Sequence, residues 1–402
     1  MINKALNVIL TSVIQKSLPI LMGVFVMNYY GNLAFTQFSL FLTAIAAIVV
    51  FVSTGMTPAL IKSAAKFRYI SEQRRVFEDF LITAFILWIF VSVIFLSAGY
   101  FHALPKLFDN ITYQFLMVSM CMIIILFSLS IMQTLGLTST SLKVSIGNAL
   151  MLIVSCGVAS FIDFYFFLNL YTVTFVLMAV NCLINLARND LFIFHKICVT
   201  NPFNLVCDTV KQSGSVFIPN IIWMLAVFNF HIYVSSNSHT SSLYSSFAIG
   251  YQWLTFIVFI PGALAPLVIS YFSKEGFGFK KAYLLSITYL ILGIFLCVLF
   301  YQFSGYVSLL YGYEFSEKEI DIVLFVLLSG SIAGANAPLI QFLIGISKAY
   351  YICVASLLWS IVSIIPQISL NSFLDFYEVF FIAYLISYLS LLVISYKVSF
   401  SD

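Results

Sequence analysis

Apolar runs of twenty or more residues recur along the chain, and the first sets the terms for the rest. It extends from Leu6 to Tyr30 and reads LNVILTSVIQKSLPILMGVFVMNYY. About 20 mostly apolar residues cross a bilayer as a helix, so this run is long enough. Two of its residues are out of place in lipid, Lys16 and Pro19. Counting from Lys4 at a membrane surface, Lys16 lies about 18 Å farther along at ~1.5 Å per residue. That depth is near the middle of a hydrocarbon layer roughly 30 Å thick. A cation there costs at least ~2.5 kcal/mol, so it is expected to face the bundle interior or water. The competing expectation is a stem that snorkels back to the surface, but its reach of ~6 Å falls short. Pro19 has no N–H to give the carbonyl of Gln15, which predicts a kink. A kinked helix carrying a deep cation suits a gate and an anion site.

The chain is 62% hydrophobic and 8% charged, where soluble domains carry about 25% charged residues. The predicted fold class is therefore an all-α polytopic membrane protein. Twelve transmembrane helices are expected over residues 6–29, 38–61, 78–101, 113–135, 142–161, 164–187, 212–234, 244–271, 282–303, 318–346, 350–370 and 375–396. With both termini cytoplasmic, every cytoplasmic connection carries a cation. Of the 18 Lys and Arg, all but Lys16, Lys106 and Lys318 then fall inside, as the positive-inside rule requires. One span more or fewer would invert the downstream sides and spoil the pattern. The seven Cys form no CxxC pair, so no metal or disulfide framework is expected.

The connections are too short for a soluble nucleotide-binding or glycosyltransferase domain, and no GxxxxGK[ST] loop occurs. ATP hydrolysis, cofactors and nucleic acid are not expected. The largest break, over residues 191–211, reads as a cytoplasmic connector, with 192–203 suited to lie in the membrane interface. It divides an N-terminal six-helix lobe, 1–190, from a C-terminal one, 212–402. The halves echo each other: Pro19 pairs with Pro219, Gly55 and Pro58 with Gly262 and Pro266, Gln133 with Gln341, and Ser155 with Ser363. The offsets, 200 for the prolines and 208 for the last two pairs, indicate a duplication. Six is even, so the repeat is parallel and its axis runs along the membrane normal. Such repeats build transporters with the substrate between the halves.

Polar residues recur at helical spacing within the spans. Asn181, Asn185 and Arg188 share one face of span six, and Ser356, Ser360, Ser363 and Gln367 one face of span eleven. Span ten has Gly330, Gly334, Asn336, Pro338 and Gln341; span seven has Pro219, Asn220, Asn229 and His231. Small residues and serines of this kind also serve helix packing, and His231 suits a bond to a neighbouring carbonyl. No Asp or Glu falls in a span centre, whereas proton-driven export of cationic drugs usually wants a deep carboxylate. A central lysine instead selects an anion such as a phosphate. The candidate substrate-binding residues are Lys16, Asn181, Asn185, Arg188, Gln133, Gln341 and Asn220, with Pro19 and Pro219 as gating kinks.

The stretch MNYYGNLAFTQFSLFLTAIAAIVVFVSTGMTPALIKSAAKF, with Gly31, Phe38, Ser39, Gly55, Ala59, Lys62 and Ala65, resembles the start of the polysaccharide-export flippases. These belong to the multidrug/oligosaccharidyl-lipid/polysaccharide superfamily, and the resemblance is to its O-antigen (Wzx type) members. It implies a flippase that moves an undecaprenyl-pyrophosphate-linked oligosaccharide from the cytoplasmic to the periplasmic leaflet of a bacterial inner membrane. Membrane lipids and other polysaccharide-assembly membrane proteins would be its partners. Relatives that flip the peptidoglycan precursor carry several deep basic residues and two further spans, where this chain has Lys16 alone and twelve spans. A multidrug exporter of the same fold would carry a deep carboxylate. A polysaccharide polymerase would carry a large periplasmic loop, and a channel would lack the internal repeat.

Overall fold

The computed structural model describes residues 2–53, 60, 70–100, 111–189, 191, 202–237, 240–272, 278–368 and 375–400. Among these there are α-helices and two short 3-10 turns but no strand. The helices are α1 (Ile2–Ser53), α2 (Ile70–Tyr100), α3 (Thr112–Thr134), α4 (Thr138–Ala159), α5 (Phe164–Arg188) and α6 (Pro202–Ser236). They continue with α7 (Tyr244–Phe272), α8 (Phe279–Gln302), α9 (Ser304–Tyr311), α10 (Glu317–Gly345), α11 (Ile352–Ile368) and α12 (Phe376–Phe400). Among the described residues, ten stretches are long and apolar enough to cross a membrane. The first of them, Leu6–Ser53, has 48 residues, enough for two crossings, and Ala349–Ile364 is a shorter apolar helix. The chain is a multi-pass membrane protein, with ten to twelve apolar helices among the described residues.

Two boundaries differ from expectation, and a third, the turn between the first two spans, is shorter than expected. The predicted turn over residues 30–37 is helical except at Gly31, whose φ of 81° and ψ of −178° make the one non-helical point in α1. The other residues of 30–37 hold no charge and no proline, so the interruption is confined to Gly31. Glycine alone takes that positive φ cheaply. The backbone at Pro19 keeps helical φ and ψ, and the one non-helical point in α1 is Gly31. The predicted connector is shorter than expected because α6 begins at Pro202, a residue pre-set for the first helical turn. Residues 192–201, which carry most of the predicted interfacial segment, lie outside the described residues, as does most of the stretch 54–69. Finally, the predicted outer loop after span nine contains α9, which Gly312 ends in a left-handed conformation.

The helices gather into two compact units. One comprises residues 1–15 and 41–221, the other 16–40 and 222–402. The boundaries fall inside helices, at Gln15/Lys16 and Leu40/Phe41 in α1 and at Ile221/Ile222 in α6.

In the first unit α5 packs on α3 and α4, and α2 on α3. Asp163 caps α5 by accepting from the Phe166 N–H at 2.9 Å, as an N-cap carboxylate should. Phe41 meets Phe115 and Tyr171 at ring separations of 6.4 and 6.2 Å. The Trp88 indole donates to Ser119 Oγ at 3.0 Å, tying α2 to α3.

In the second unit α10 is the hub, with α7, α8 and α12 packed on it. Small residues permit the approach. A Cβ on Gly293 of α8 would lie 2.6 Å from the Ser331 Cβ and 2.7 Å from its Cα. On the other side, Gly330 faces Leu254 of α7, whose Cα would be 3.1 Å from an added Cβ. Without a hydrophobic drive between helices in lipid, such close backbone contact supplies much of the packing energy. The start of α10 is fixed by a capping box between Ser316 and Glu319.

Candidate functional site

Lys16 stands on α1 with its side chain exposed, within the apolar stretch Leu6–Ser53. It is the first residue of the second unit, and Pro19 follows three residues later, half-buried. On α6 the arrangement is similar. Pro219 is buried, Asn220 beside it is half-buried, and the unit boundary comes directly after Ile221. The passages at Gln15/Lys16 and Ile221/Ile222 therefore each have a proline within a turn, at a point where one backbone hydrogen bond is missing, whereas the second passage of α1, at Leu40/Phe41, has none.

The polar face of span six is an amide ladder. Asn181 Nδ2 donates to Asn148 Oδ1 of α4 at 3.0 Å. Asn185 Nδ2 donates to the Asn181 carbonyl at 2.8 Å and to its Oδ1 at 3.1 Å. Asn189 Nδ2 donates to the Asn185 carbonyl at 2.7 Å, and Asn148 Nδ2 points at Cys182 Sγ, 3.7 Å away. The ladder joins α4 to α5, yet Asn181 and Asn185 keep partly exposed edges. An amide edge offers both donor and acceptor and can bind a hydroxyl-rich molecule. Arg188 closes α5, exposed, at the helix end that favours a cation.

The paired glutamines occupy unlike places. Gln133 is half-buried near the end of α3. Gln341 is buried in α10, where Nε2 donates to the Pro261 carbonyl of α7 at 2.9 Å, while Oε1 is buried without a partner. Of the predicted substrate-binding residues, the structure brings Asn181 and Asn185 into direct contact. Ser356, Ser360 and Ser363 are buried; Ser360 and Ser363 hydrogen-bond back into α11 at 2.8 and 2.9 Å. The side chain of Gln367 lies outside the described residues. His231 Nδ1 pairs with the Tyr244 hydroxyl at 2.9 Å, in place of the expected carbonyl. Its ring meets Tyr251 and Phe247 at 4.6 and 5.0 Å.

Three polar groups escaped the sequence reading. Asn148, the root of the amide ladder, is the lone Asn of the fifth span. Gln252 of α7 accepts from the Tyr311 hydroxyl at 3.0 Å and lies against Gly23 of α1, where a Cβ would come within 2.5 Å of its amide. Glu319 is buried among the hydroxyls of Ser316, Ser246 and Tyr313, and the Ser316–Glu319 spacing could have revealed it. Burial and the neighbouring Glu319 carboxylate push the Tyr313 hydroxyl up to about 12. Among the described residues no cluster of His, Cys, Asp and Glu could hold a metal ion.

No protein-family sequence profile matches the chain, and no curated protein matches it in sequence. Solved structures do match in fold. An inward-facing multidrug resistance MATE family transporter of the MOP superfamily superposes with a TM-score of 0.71 at 11% identity, covering 98% of this chain and 97% of that one. The lipid II flippase MurJ in an inward closed conformation gives 0.69 at 14% identity, with 98% and 87% covered. A MOP superfamily transporter from Pyrococcus furiosus, described as having a binding pocket of reverse polarity, gives 0.67 at 12%, with 98% and 94% covered. The chain has the fold shared by these transporters.

Proposed function

We propose that this fold serves here as a flippase for an undecaprenyl-pyrophosphate-linked oligosaccharide, the O-antigen repeat unit, moved from the cytoplasmic to the periplasmic leaflet of a bacterial inner membrane by alternating access. In this reading the chain is a transporter and not an enzyme, its repeats are two six-helix lobes, and both termini are cytoplasmic. The observation that carries it is Lys16, an exposed cation well inside an apolar membrane-crossing stretch. Among the described residues no carboxylate stands mid-span to offset it. The fold shared with a lipid II flippase supports a lipid-linked substrate.

The physical case is charge. A pyrophosphate that leaves water for a low-dielectric path loses hydration at large cost. A fixed ammonium at about 4 Å returns roughly 1 to 4 kcal/mol, for effective dielectrics between 80 and 20. The polyprenyl tail stays in the bilayer while the head-group passes. Arg188 and the Asn181–Asn185 edge would meet the head-group on its way, with Gln133, Gln341 and Asn220 as further polar contacts. Bending at Pro19 and Pro219 would accompany the change of access.

The test is surface polysaccharide in a strain lacking the protein, complemented at equal membrane levels. Lys16→Ala is expected to lose export, Lys16→Arg to keep much of it, and Lys16→Glu to be the most impaired. Normal export by Lys16→Ala would end the anion-site reading. The second reading is a multidrug exporter, favoured by the near-complete coverage of the MATE transporter, 97% against 87% for the flippase. Efflux of a lipophilic cation that survives Lys16→Ala would select it.

A further inference from the structure

The second unit is electrically polarised along its helices. Among its described residues, Lys280 and Lys281 start α8, Lys348 follows α10, and Lys397 lies in the last turn of α12. The acids Glu314, Glu317, Glu319, Asp321, Asp375 and Glu378 cluster at the starts of α10 and α12. Two contacts show that these are opposite ends. Lys318 lies 4.0 Å from Asp375, joining the starts of α10 and α12. Phe279 and Tyr396 stack edge to face at 5.7 Å, joining the start of α8 to the end of α12.

The basic end is also ordered. Lys281 Nζ donates to the Tyr271 hydroxyl of α7 at 2.9 Å and lies 5.3 Å from the centre of that ring. Phe279 stands between Tyr283, 5.9 Å away, and Tyr396, and Tyr271, Tyr283 and Tyr396 are all exposed. Lys280 and Lys281 occupy the first turn of α8, where the helix dipole disfavours cations. Helix stability therefore does not explain why they stand there. Exposed tyrosines beside lysines at the edge of an apolar belt match the chemistry of a lipid headgroup layer, with rings at the glycerol level and ammonium groups at the phosphates.

We propose that this end of the second unit is a docking surface for the phosphate headgroups of anionic phospholipids, centred on Lys281 as braced by Tyr271, with Lys280 beside it. The surface holds annular lipid at one membrane face and does not depend on which substrate the protein carries.

The experiment uses the full chain, released into the gas phase from detergent with phosphatidylglycerol and phosphatidylcholine supplied together, and counts retained lipids by native mass spectrometry. Wild type is expected to retain the anionic lipid preferentially. Lys280→Gln/Lys281→Gln is expected to lower that preference by about fivefold per lysine removed, with an unchanged unfolding midpoint. Tyr271→Phe, which keeps the ring but not the hydroxyl, is expected to fall between. Lys318→Gln, at the acidic end, is expected to leave the preference at the wild-type level. An unchanged preference in the double variant, or an equal loss in Lys318→Gln, overturns the proposal. Displacement of the anionic lipid by inorganic pyrophosphate at equal concentration would assign the surface to a free phosphate and overturn it too. Retention of an acidic peptide in place of the lipid would assign it to a protein partner, with the same consequence.

Discussion

α1 and α10 are both long and apolar, and each has a proline inside, Pro19 in one and Pro338 in the other. They put their polar residues to different uses. On α10 the polar groups serve packing: Gln341 holds the Pro261 carbonyl, the Ala335 carbonyl accepts from Ser286 of α8 at 2.8 Å, and Ser331 sits under Gly293. α1 mixes the two uses. Asn28 Nδ2 donates to the Leu310 carbonyl at 2.8 Å, and a Cβ on Gly312 would come within 2.5 Å of Asn28 Oδ1, so this residue too serves packing. Twelve residues earlier Lys16 is exposed. A polar residue in a membrane helix is thus no sign of function until its partners are known.

Measured unfolding should separate the two uses. Gly293→Leu should act most strongly, because the added side chain meets the Ser331 backbone. Overpacking of this kind costs ~1–3 kcal/mol or more, and recovery of folded protein should drop accordingly. A wild-type midpoint would mean that α8 and α10 stand farther apart than described. Asn148→Ala should cost about 0.6 to 1.7 kcal/mol, the range for interhelical hydrogen bonds in membranes. Equal stability would turn the amide ladder from a brace into an open binding edge. Asn28→Ala should lose roughly 0.5–1.5 kcal/mol for its bond to Leu310, and less if water replaces the amide. Lys16→Ala should lie within ±0.5 kcal/mol, as substitutions away from packed features usually do. A large loss there would place Lys16 with the packing residues and remove it from the substrate path.

Hydropathy made the membrane class readable, because long apolar runs admit few other folds. It located the spans well where a charge or a capping residue ends them, as at Asp163 and Ser316. It placed a break between the first two spans, over residues 30–37, and the structure confines that break to Gly31, since hydropathy registers the length of an apolar segment and not the residue at which the helix turns. The break at Gly31 was visible only as a glycine; Pro19, the stronger sequence signal, left the helical backbone intact. The amide ladder was half legible. Helical spacing aligned Asn181 and Asn185, but Asn148 belongs to another helix and no periodicity could point to it. Gln133 and Gln341 look equivalent in sequence and differ in burial, because matched spacing does not fix which neighbours a side chain packs against.

The unit boundaries have a consequence for biogenesis. The second unit needs residues 16–40 together with 222–402, pieces made at opposite ends of translation. As the chain leaves the ribosome, the first helix enters the bilayer long before the helices that its middle section joins have been made. That segment must wait in lipid, with its lysine, until the second half of the chain arrives. A C-terminal half expressed by itself would lack a helix of its own unit, and supplying the N-terminal half as a separate polypeptide should restore it.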